Sequence, residues 1–452
     1  MNDSALLSRK RCQEILHAAV AAARRAGVED VEIMLGAGEE SLTRFANNQI
    51  HQNVSERSRF LSVRTMAGQH TARATTNRVE RNGIEAAVEQ AIALMRSSEP
   101  DPALLPLLGG SEKAGNRRYF AEVAETTPAA RAQAVAEATR LVEGEGQTAA
   151  GIYSTASSAE AILNSAGLFR YYDETKSVFS ITAMDDASSG WAKASSPHYE
   201  PAIPITLAAS AARKARLSRN PREIPSGEYT VILEPAAVLD LAGQIFGDFS
   251  GTALADQRSF LTDRLGSKLF GDNISIYDDV NHSLQAGAPF DGEGVPRRRL
   301  ALVERGIPTE VAYSRASAVT AGTEPTGHGF PLPNEGGESP VNIVIAGGAT
   351  TVDEMIASTN YGILVTRLWY IREVEPYEKV MTGMTRDGTF LVEDGQVVCG
   401  IRNLRFNQSV VELLKNVSAL SPSVRASGEE AFDMVVPAMK VEGFRFTEVT
   451  KF

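Results

Sequence analysis

Cys12, Ile15, Leu16, Ala19 and Ala23 recur at the spacing of one helix face. The pattern predicts a helix that starts after Ser4 and stops at Gly27, a residue suited to the position just past a helix end. Val31, Ile33 and Leu35 then alternate with polar or softer residues, as on a half-buried strand. Two further strands are predicted, Ser41 to Ile50 and Arg59 to Met66, with Ala67-Gly68-Gln69 turning the chain. Ile84, Val88, Ala91 and Met95 mark a second amphipathic helix. Periodicity fades from Ser97 to Arg117, where prolines and glycines make a connector. Thr127-Pro128 opens the next helix, with threonine as cap and proline at the first helical position. Strand patterns return from Gly151 to Ser196, broken by a turn at Asn164-Ser165-Ala166-Gly167, and Pro204 to Leu217 is helical again.

These segments hint at an internal repeat. The Asn47-Asn48 turn leads to SVRTMAGQHTARATT and a helix; Asn164 leads to SITAMDDASSGWAKASS and a helix. Ser62-Val63 would match Ser180-Ile181, and Met66 would match Met184. Two ordinary meander-plus-helix units would look the same. A boundary falls near PREIPSG, residues 221–227. Beyond it come a strand from Tyr229 to Leu233, a helix opening at Pro235, and Gly- and Asp-rich loops from Asp256 to Arg299. The rest is strand-rich until a short helix, Ser409 to Asn416. The fold class expected is α+β: residues 1–222 a mixed domain with a repeated strand-meander-plus-helix unit, residues 223–452 a domain mainly of antiparallel strands.

At 452 residues the length favours more than one domain. The formal net charge of -11 argues against nucleic acid as a partner, since phosphate contacts need clustered Lys and Arg. Arg297, Arg298 and Arg299 form a basic run that reads as a solvated loop. The two cysteines, Cys12 and Cys399, build no disulfide framework and fit a reducing compartment. No signal-peptide pattern or apolar run of membrane-spanning length is present, so a cytoplasmic protein with no membrane partner is expected.

Among the 6 histidines no two lie four or five residues apart, and no H-E-x-x-H occurs, which argues against a self-contained zinc hydrolase site of that kind. His328, in Thr326-Gly327-His328-Gly329, is either a solvent-facing loop histidine or a ligand-approaching one. Cys399 has no base beside it and reads as structural. Asp278-Asp279 and Asp185-Asp186 could do acid–base work, but adjacent loop acids are usually solvated. The strand Asn342 to Ile345, followed by Ala346-Gly347-Gly348, has the shape of a phosphate loop without its lysine; Thr351 and Glu354 make a capping box that explains it without a ligand.

The block from Asn360 to Lys415 carries the densest pattern. Tyr361 to Thr366 alternates, and Arg367, Trp369 and Tyr370 follow on the same run. Arg386-Asp387-Gly388 reads as a turn before Thr389 to Val392, and Glu393-Asp394-Gly395 as a hairpin turn after it. Arg402 and Arg405 are placed on one face of a strand. Repeated Arg and aromatic residues suit a surface that holds a peptide or a partner, or else fold-specifying contacts. The candidate contact residues are His328, Asn360, Tyr361, Arg367, Trp369, Tyr370, Arg386, Arg402 and Arg405.

NYGILVTRLWY, TGMTRDGTFLVEDGQ and IRNLRFNQSVVELL resemble the TldD/PmbA family, specifically its PmbA (TldE) branch. SLTRFANNQIHQNVSERSRFLSVRTMAGQHTARATTN, FDGEGVPRRRLALVERG and the Thr326-Gly327-His328 loop extend the likeness over most of the chain. The resemblance implies a peptidase system. A TldD subunit holds a metal, expected to be zinc, on an H-E-x-x-x-H helix and a later cysteine. A PmbA-type subunit pairs with it, and the complex trims unfolded or ribosomally made peptides such as a microcin precursor and an antitoxin. In the metal-bearing branch the histidine helix follows a strand equivalent to Tyr229 to Leu233. The two histidines and the glutamate would fall here on Glu234, Leu239 and Pro235. Proline is no general base and leucine no metal ligand, so no catalytic or metal residue carries over. The resemblance therefore implies a non-catalytic subunit that binds no cofactor itself, with the metal in a TldD-type partner. A homodimeric peptide-binding or scaffolding protein, or a divergent hydrolase using His328 or Cys399, are the alternatives.

Overall fold

The computed structural model describes residues 6–110 and 118–450. Ser4 and residues 111–117 of the connector lie outside them, and the helix expected to start after Ser4 begins at Arg9. The first unit runs α1 (Arg9–Arg25), β1 (Asp30–Ala46), β2 (Gln49–Ala67), β3 (His70–Thr76), α2 (Arg81–Ser97). Ser8 caps α1, and Gly27, at φ +81°, lets the Val28 amide reach back to the Ala23 carbonyl. After a short α3 (Ala121–Ala124), the second unit repeats the order: α4 (Pro128–Gly144), β4 (Thr148–Asn164), β5 (Phe169–Asp185), β6 (Ser188–Ser196), α5 (Ile203–Leu217). Thr127 caps α4 as expected, accepting from the Ala130 amide.

All six strands form one antiparallel sheet, β3-β2-β1-β4-β5-β6. The two units meet at β1–β4. Ser62-Val63 and Ser180-Ile181 sit at equal places before equivalent tight turns, whose closing pairs are Ala67 with His70 and Asp185 with Ser188. The repeat is therefore structural. One expectation fails: Ser41 to Ile50 is not a strand of its own. Asn47 and Asn48 both adopt positive φ, 52° and 60°, and fold β1 back on β2 there. Asparagine tolerates this conformation, and the resulting turn matches strand twist.

Val31, Ile33, Leu35 and Phe45 of β1 share one sheet face by alternation, and the longer helices α1, α2, α4 and α5 bury it. Among the described residues the opposite face carries no helix. It holds Glu32, fully enclosed between Arg64 (3.4 Å) and Arg73 (2.8 Å). Loops from the C-terminal half cover it, with Arg73 and Arg170 donating to the carbonyls of Leu332 and Gly294.

That half contains β7 (Gly227–Leu233), α6 (Pro235–Ala242), α7 (Gly251–Ala255), β8 (Ile276–Asp278), β9 (Leu300–Glu304), β10 (Ile307–Pro308) and α8 (Arg315–Ala321). There follow β11 (Ile343–Ile345), α9 (Val352–Ala357), β12 (Tyr361–Glu375), β13 (Val380–Glu393), β14 (Gln396–Gly400) and β15 (Leu404–Ser409). The chain ends with α10 (Val410–Lys415), β16 (Val417–Leu420), β17 (Val424–Ala426), β18 (Met434–Val436) and β19 (Met439–Val449). Strands β12, β7, β19, β15 and β13 close into a ring, because β12 pairs with both β7 and β13. A second sheet runs β10-β9-β8-β11-β18-β17. Pairing is mainly antiparallel, with parallel exceptions at β7–β12 and β11–β18. The ring interior is apolar, built on Val231, Leu233, Ile363, Val365, Phe406 and Phe444.

Arg386-Asp387-Gly388 is no turn. It lies inside β13, where Asp387 (φ 50°) and Gly388 (φ 127°) form an irregularity opposite a register shift in β12. Asp394-Gly395 does turn β13 into β14. Arg402 precedes β15 rather than sharing a strand face with Arg405, since pairing starts at Leu404. Thr351 and Glu354 form the expected capping box of α9, and Ser409 caps α10.

Candidate functional site

Two places concentrate polar side chains. The first surrounds the N-terminus of α6. Glu234 caps this helix through backbone geometry, and its carboxylate pairs with Lys214 of α5 at 2.6 Å. Pro235 occupies the first helical position, and Leu239 is fully buried in the ring core. These three residues do not form a metal site: one carboxylate is already tied to an ammonium, one residue has no ligand atom, and one is enclosed by carbon. Among the described residues no group of three His, Cys, Asp or Glu side chains is arranged to hold a metal ion.

Next on α6, Asp240 is completely buried. Its Oδ1 accepts the amides of Glu429 and Glu430 at 3.0 and 2.9 Å, while Oδ2 has no hydrogen-bond partner among the described residues. Burial pushes its pKa up to about 6, aided by the two neighbouring glutamates and opposed by the two amides. Glu430 in turn accepts the Tyr370 amide at 2.7 Å and faces Arg372 at 3.5 Å. Tyr370 adopts φ 58°, rare for a bulky residue, with its side chain half exposed. The Glu430 carboxylate thus holds this backbone against its preference.

Beside it, Arg367 contacts both tryptophans of the chain, Trp191 at 4.9 Å and Trp369 at 5.5 Å. Its guanidinium pairs with Asp387, which also takes the Ser189 hydroxyl at 2.6 Å. Arg386 covers the other approach to Trp369 at 5.1 Å. The site brings Arg367, Trp369, Tyr370 and Arg386 together, and adds Trp191, Ser189, Lys214, Asp387 and Glu430, which sequence reading did not single out. Trp191 was the available signal, being one of two tryptophans in the chain. Asn360 and Tyr361 are exposed at the start of β12, roughly 25 Å along the strand from Trp369. Arg402 is exposed and 3.7 Å from Glu223; Arg405 is partly buried, opposite Met384.

The second place is centred on His328. The expectation of a solvent-facing loop histidine is overturned, since its side chain is fully buried. Nε2 lies 3.0 Å from Asp278 Oδ1, and Nδ1 lies 3.0 Å from the Thr326 hydroxyl. Asp278 is likewise buried rather than solvated; Oδ2 accepts the amides of Val341 and Asn342. Burial alone would raise the Asp278 pKa, but His328 and these amides more than offset it, and the net direction is down. The loop is clamped because Gly327 (φ 78°) packs against Pro296, where a Cβ would come within 2.4 Å of the carbonyl oxygen. Asp291 adds a carboxylate that accepts the amides of Glu293, Val295 and Gly329. Arg297 leaves the solvated run expected for residues 297–299 and turns into a cavity of about 410 Å³. Arg298 and Arg299 stay exposed. Nδ1 is engaged by Thr326, while Nε2 meets Asp278 at close range without hydrogen-bond alignment, and this places His328 as a structural partner of Asp278. Cys399 pairs opposite Leu391 in β14, and burial raises its pKa, away from a reactive thiolate.

Two sequence profiles match the chain: the PmbA/TldA metallopeptidase domain 1 over residues 31–94, and the PmbA/TldA metallopeptidase C-terminal domain over residues 226–448. A Haemophilus influenzae protein named metalloprotease PmbA homolog is 24% identical over 406 residues, covering 85% of each chain. A Methanothermobacter thermautotrophicus metalloprotease is 25% identical over 215 residues; the match spans 44% of that protein and 44% of this chain. The crystal structure of TldE from Thermococcus kodakarensis superposes with a TM-score of 0.85 at 20% identity, covering 97% of this chain and all of that one. That likeness shows a common fold.

Proposed function

The chain belongs to the PmbA/TldD metallopeptidase family, and from that premise we propose that it is the non-catalytic, PmbA/TldE-type subunit of a cytoplasmic metallopeptidase complex acting on unfolded or ribosomally made peptides. One observation carries this reading. Where the resemblance puts the H-E-x-x-x-H helix, this chain has Glu234 paired with Lys214, Pro235 at the helix start and Leu239 buried. The metal and its general base then belong to a TldD-type partner. The exposed Tyr370 and Arg386, beside the Arg367–tryptophan cluster, are the contact surface this reading favours for partner or peptide. Residues 1–222 and 223–452 are its two domains, a division supported by the change of sheet between β6 and β7. Both cysteines are free, in keeping with a reducing compartment.

The test is a casein-hydrolysis assay. The purified chain with added zinc should release no peptides; adding a purified TldD-type subunit should give hydrolysis that a chelator stops. Chelator-resistant hydrolysis by the chain alone overturns the proposal. Size-exclusion chromatography of the mixture should show a heterodimer; persistence of a homodimer beside free partner supports a scaffolding role instead.

A further inference from the structure

The 410 Å³ cavity lies between the helix-free face of the N-terminal sheet and the loops around Phe290 and His328. On its sheet wall, Glu160 of β4 stands opposite Tyr172, and Glu174 lies two residues further along β5. The two carboxylates therefore share one face as diagonal neighbours. Glu160 is exposed and Glu174 half-buried; the surrounding protein pushes the pKa of each up, Glu174 raises that of Glu160 further, and Arg297 opposes the rise. Among the described residues Glu160 has no hydrogen-bond partner, although it is open to solvent. Glu174 accepts the Tyr172 hydroxyl at 3.2 Å, and the Gly287 amide also favours its charged form. The cations nearest Glu174, Lys176 and Arg425, are both held by Asp433, at 2.8 and 3.3 Å.

The facing wall differs. Asp278 and Asp291 are already supplied with backbone amides. Arg297 donates Nε to the Ala288 carbonyl, but its Nη1 is buried with no hydrogen-bond partner among the described residues. Phe60, Phe290 and Phe330 supply apolar surface. Among the described residues the two carboxylates of one wall thus form no ion pair, although Arg297 acts on Glu160 across the cavity; the other wall offers a spare donor, with rings between. A bare metal ion would leave the rings and the guanidinium unused, and an anion would meet two carboxylates.

We propose that this cavity binds the amino end of a peptide with an apolar first side chain. The ammonium group sits between Glu160 and Glu174, the first carbonyl oxygen accepts from Arg297, and the side chain packs on the phenylalanines. The proposal extends the peptide role argued above, but its test uses the isolated chain and small amides. A complex without peptidase activity and a cavity without ligand are therefore separate outcomes.

The experiment is calorimetric titration of the full chain with phenylalaninamide, which has the ammonium, the carbonyl and the ring. Phenylalaninamide should bind, and N-acetylphenylalaninamide, lacking the charge, should bind about tenfold or more weakly. The same loss is expected for phenylalaninamide with E160Q/E174Q. That double variant removes two like charges and should melt no lower than the parent. 2-Phenylethylamine, lacking the carbonyl, should bind more weakly than phenylalaninamide. Absence of phenylalaninamide binding, equal binding of the acetylated amide, or unchanged affinity in E160Q/E174Q each overturns the proposal. The acetylated control decides the matter on the parent chain even if the variant fails to fold.

Discussion

Asp240 illustrates how one residue records what the α6 region has become. It is enclosed, accepts two amides on one oxygen and leaves the other with no hydrogen-bond partner among the described residues. Burial raises its pKa from 3.8 to about 6. An acid whose folded pKa exceeds its unfolded one binds more protons when folded, so stability falls as pH rises through that interval. The Asp240→Asn variant keeps the acceptor for Glu429 and Glu430 and cannot ionise. Its stability relative to the parent should therefore rise by about 2–3 kcal/mol between pH 4 and pH 7, read from urea unfolding across that range. A flat difference would mean the carboxyl does not carry the linkage. Single residues were the hardest scale to read from sequence. Leu239 and Pro235 spoke directly, because a missing ligand atom is missing in any fold. Glu160 and Arg297 did not, because what sets them apart is the wall each faces, and the two walls come from opposite halves of the chain.

At the scale of elements, β13 gives the clearest case. Gly388 sits at φ 127°, and a Cβ there would come within 2.6 Å of the hydroxyl of Thr366, a fully buried residue of β12. Gly388→Ala should cost about 2–4 kcal/mol, because the backbone strain and the clash add and neither neighbour is free to move. Gly146, at φ 75° with nothing within 4 Å, provides the control: Gly146→Ala meets the backbone penalty alone, about 1–2 kcal/mol. Equal losses in urea unfolding of the two variants would show that the contact with Thr366 is not strained. The same segment shows why the sequence misled. Arg-Asp-Gly has the composition of a turn, and nothing local says that Asp387 is committed to Arg367 on the neighbouring strand. Where the determinants are local, the reading held. The caps at Thr127 and Thr351, the short helix after Ser409, and the alternation in both meanders depend on residues a few positions apart. The repeat was visible for the same reason. Splitting β1 at Ser41 failed because the Asn47-Asn48 turn was not used to set the strand end.

For the whole molecule, the decisive contact is between the helix-free sheet face and the C-terminal loops. Arginines do much of the joining: Arg73 to the Leu332 carbonyl, Arg118 to those of Gln285 and His282, and Arg170 to that of Gly294. Each is a charged donor meeting a backbone acceptor that has left water, so losing one costs about 1.5–3 kcal/mol and leaves a carbonyl unsatisfied. The two halves should accordingly unfold together. Trp191 on β6 and Trp369 on β12 report on the joint from both sides, through Arg367. In the parent protein, tryptophan fluorescence and far-ultraviolet circular dichroism should give coincident urea transitions. In Arg73→Met/Arg170→Met the fluorescence change should come first, at lower urea, with the bulk of the dichroism lost later as the separate cores melt. Coincident curves with a loss below about 1 kcal/mol would show that the halves are held by apolar packing around Phe290 and Tyr172 rather than by these arginines. The cavity lies in the same joint, so the variant that parts the curves should also lose phenylalaninamide affinity, tying the binding site to the docking of the two halves.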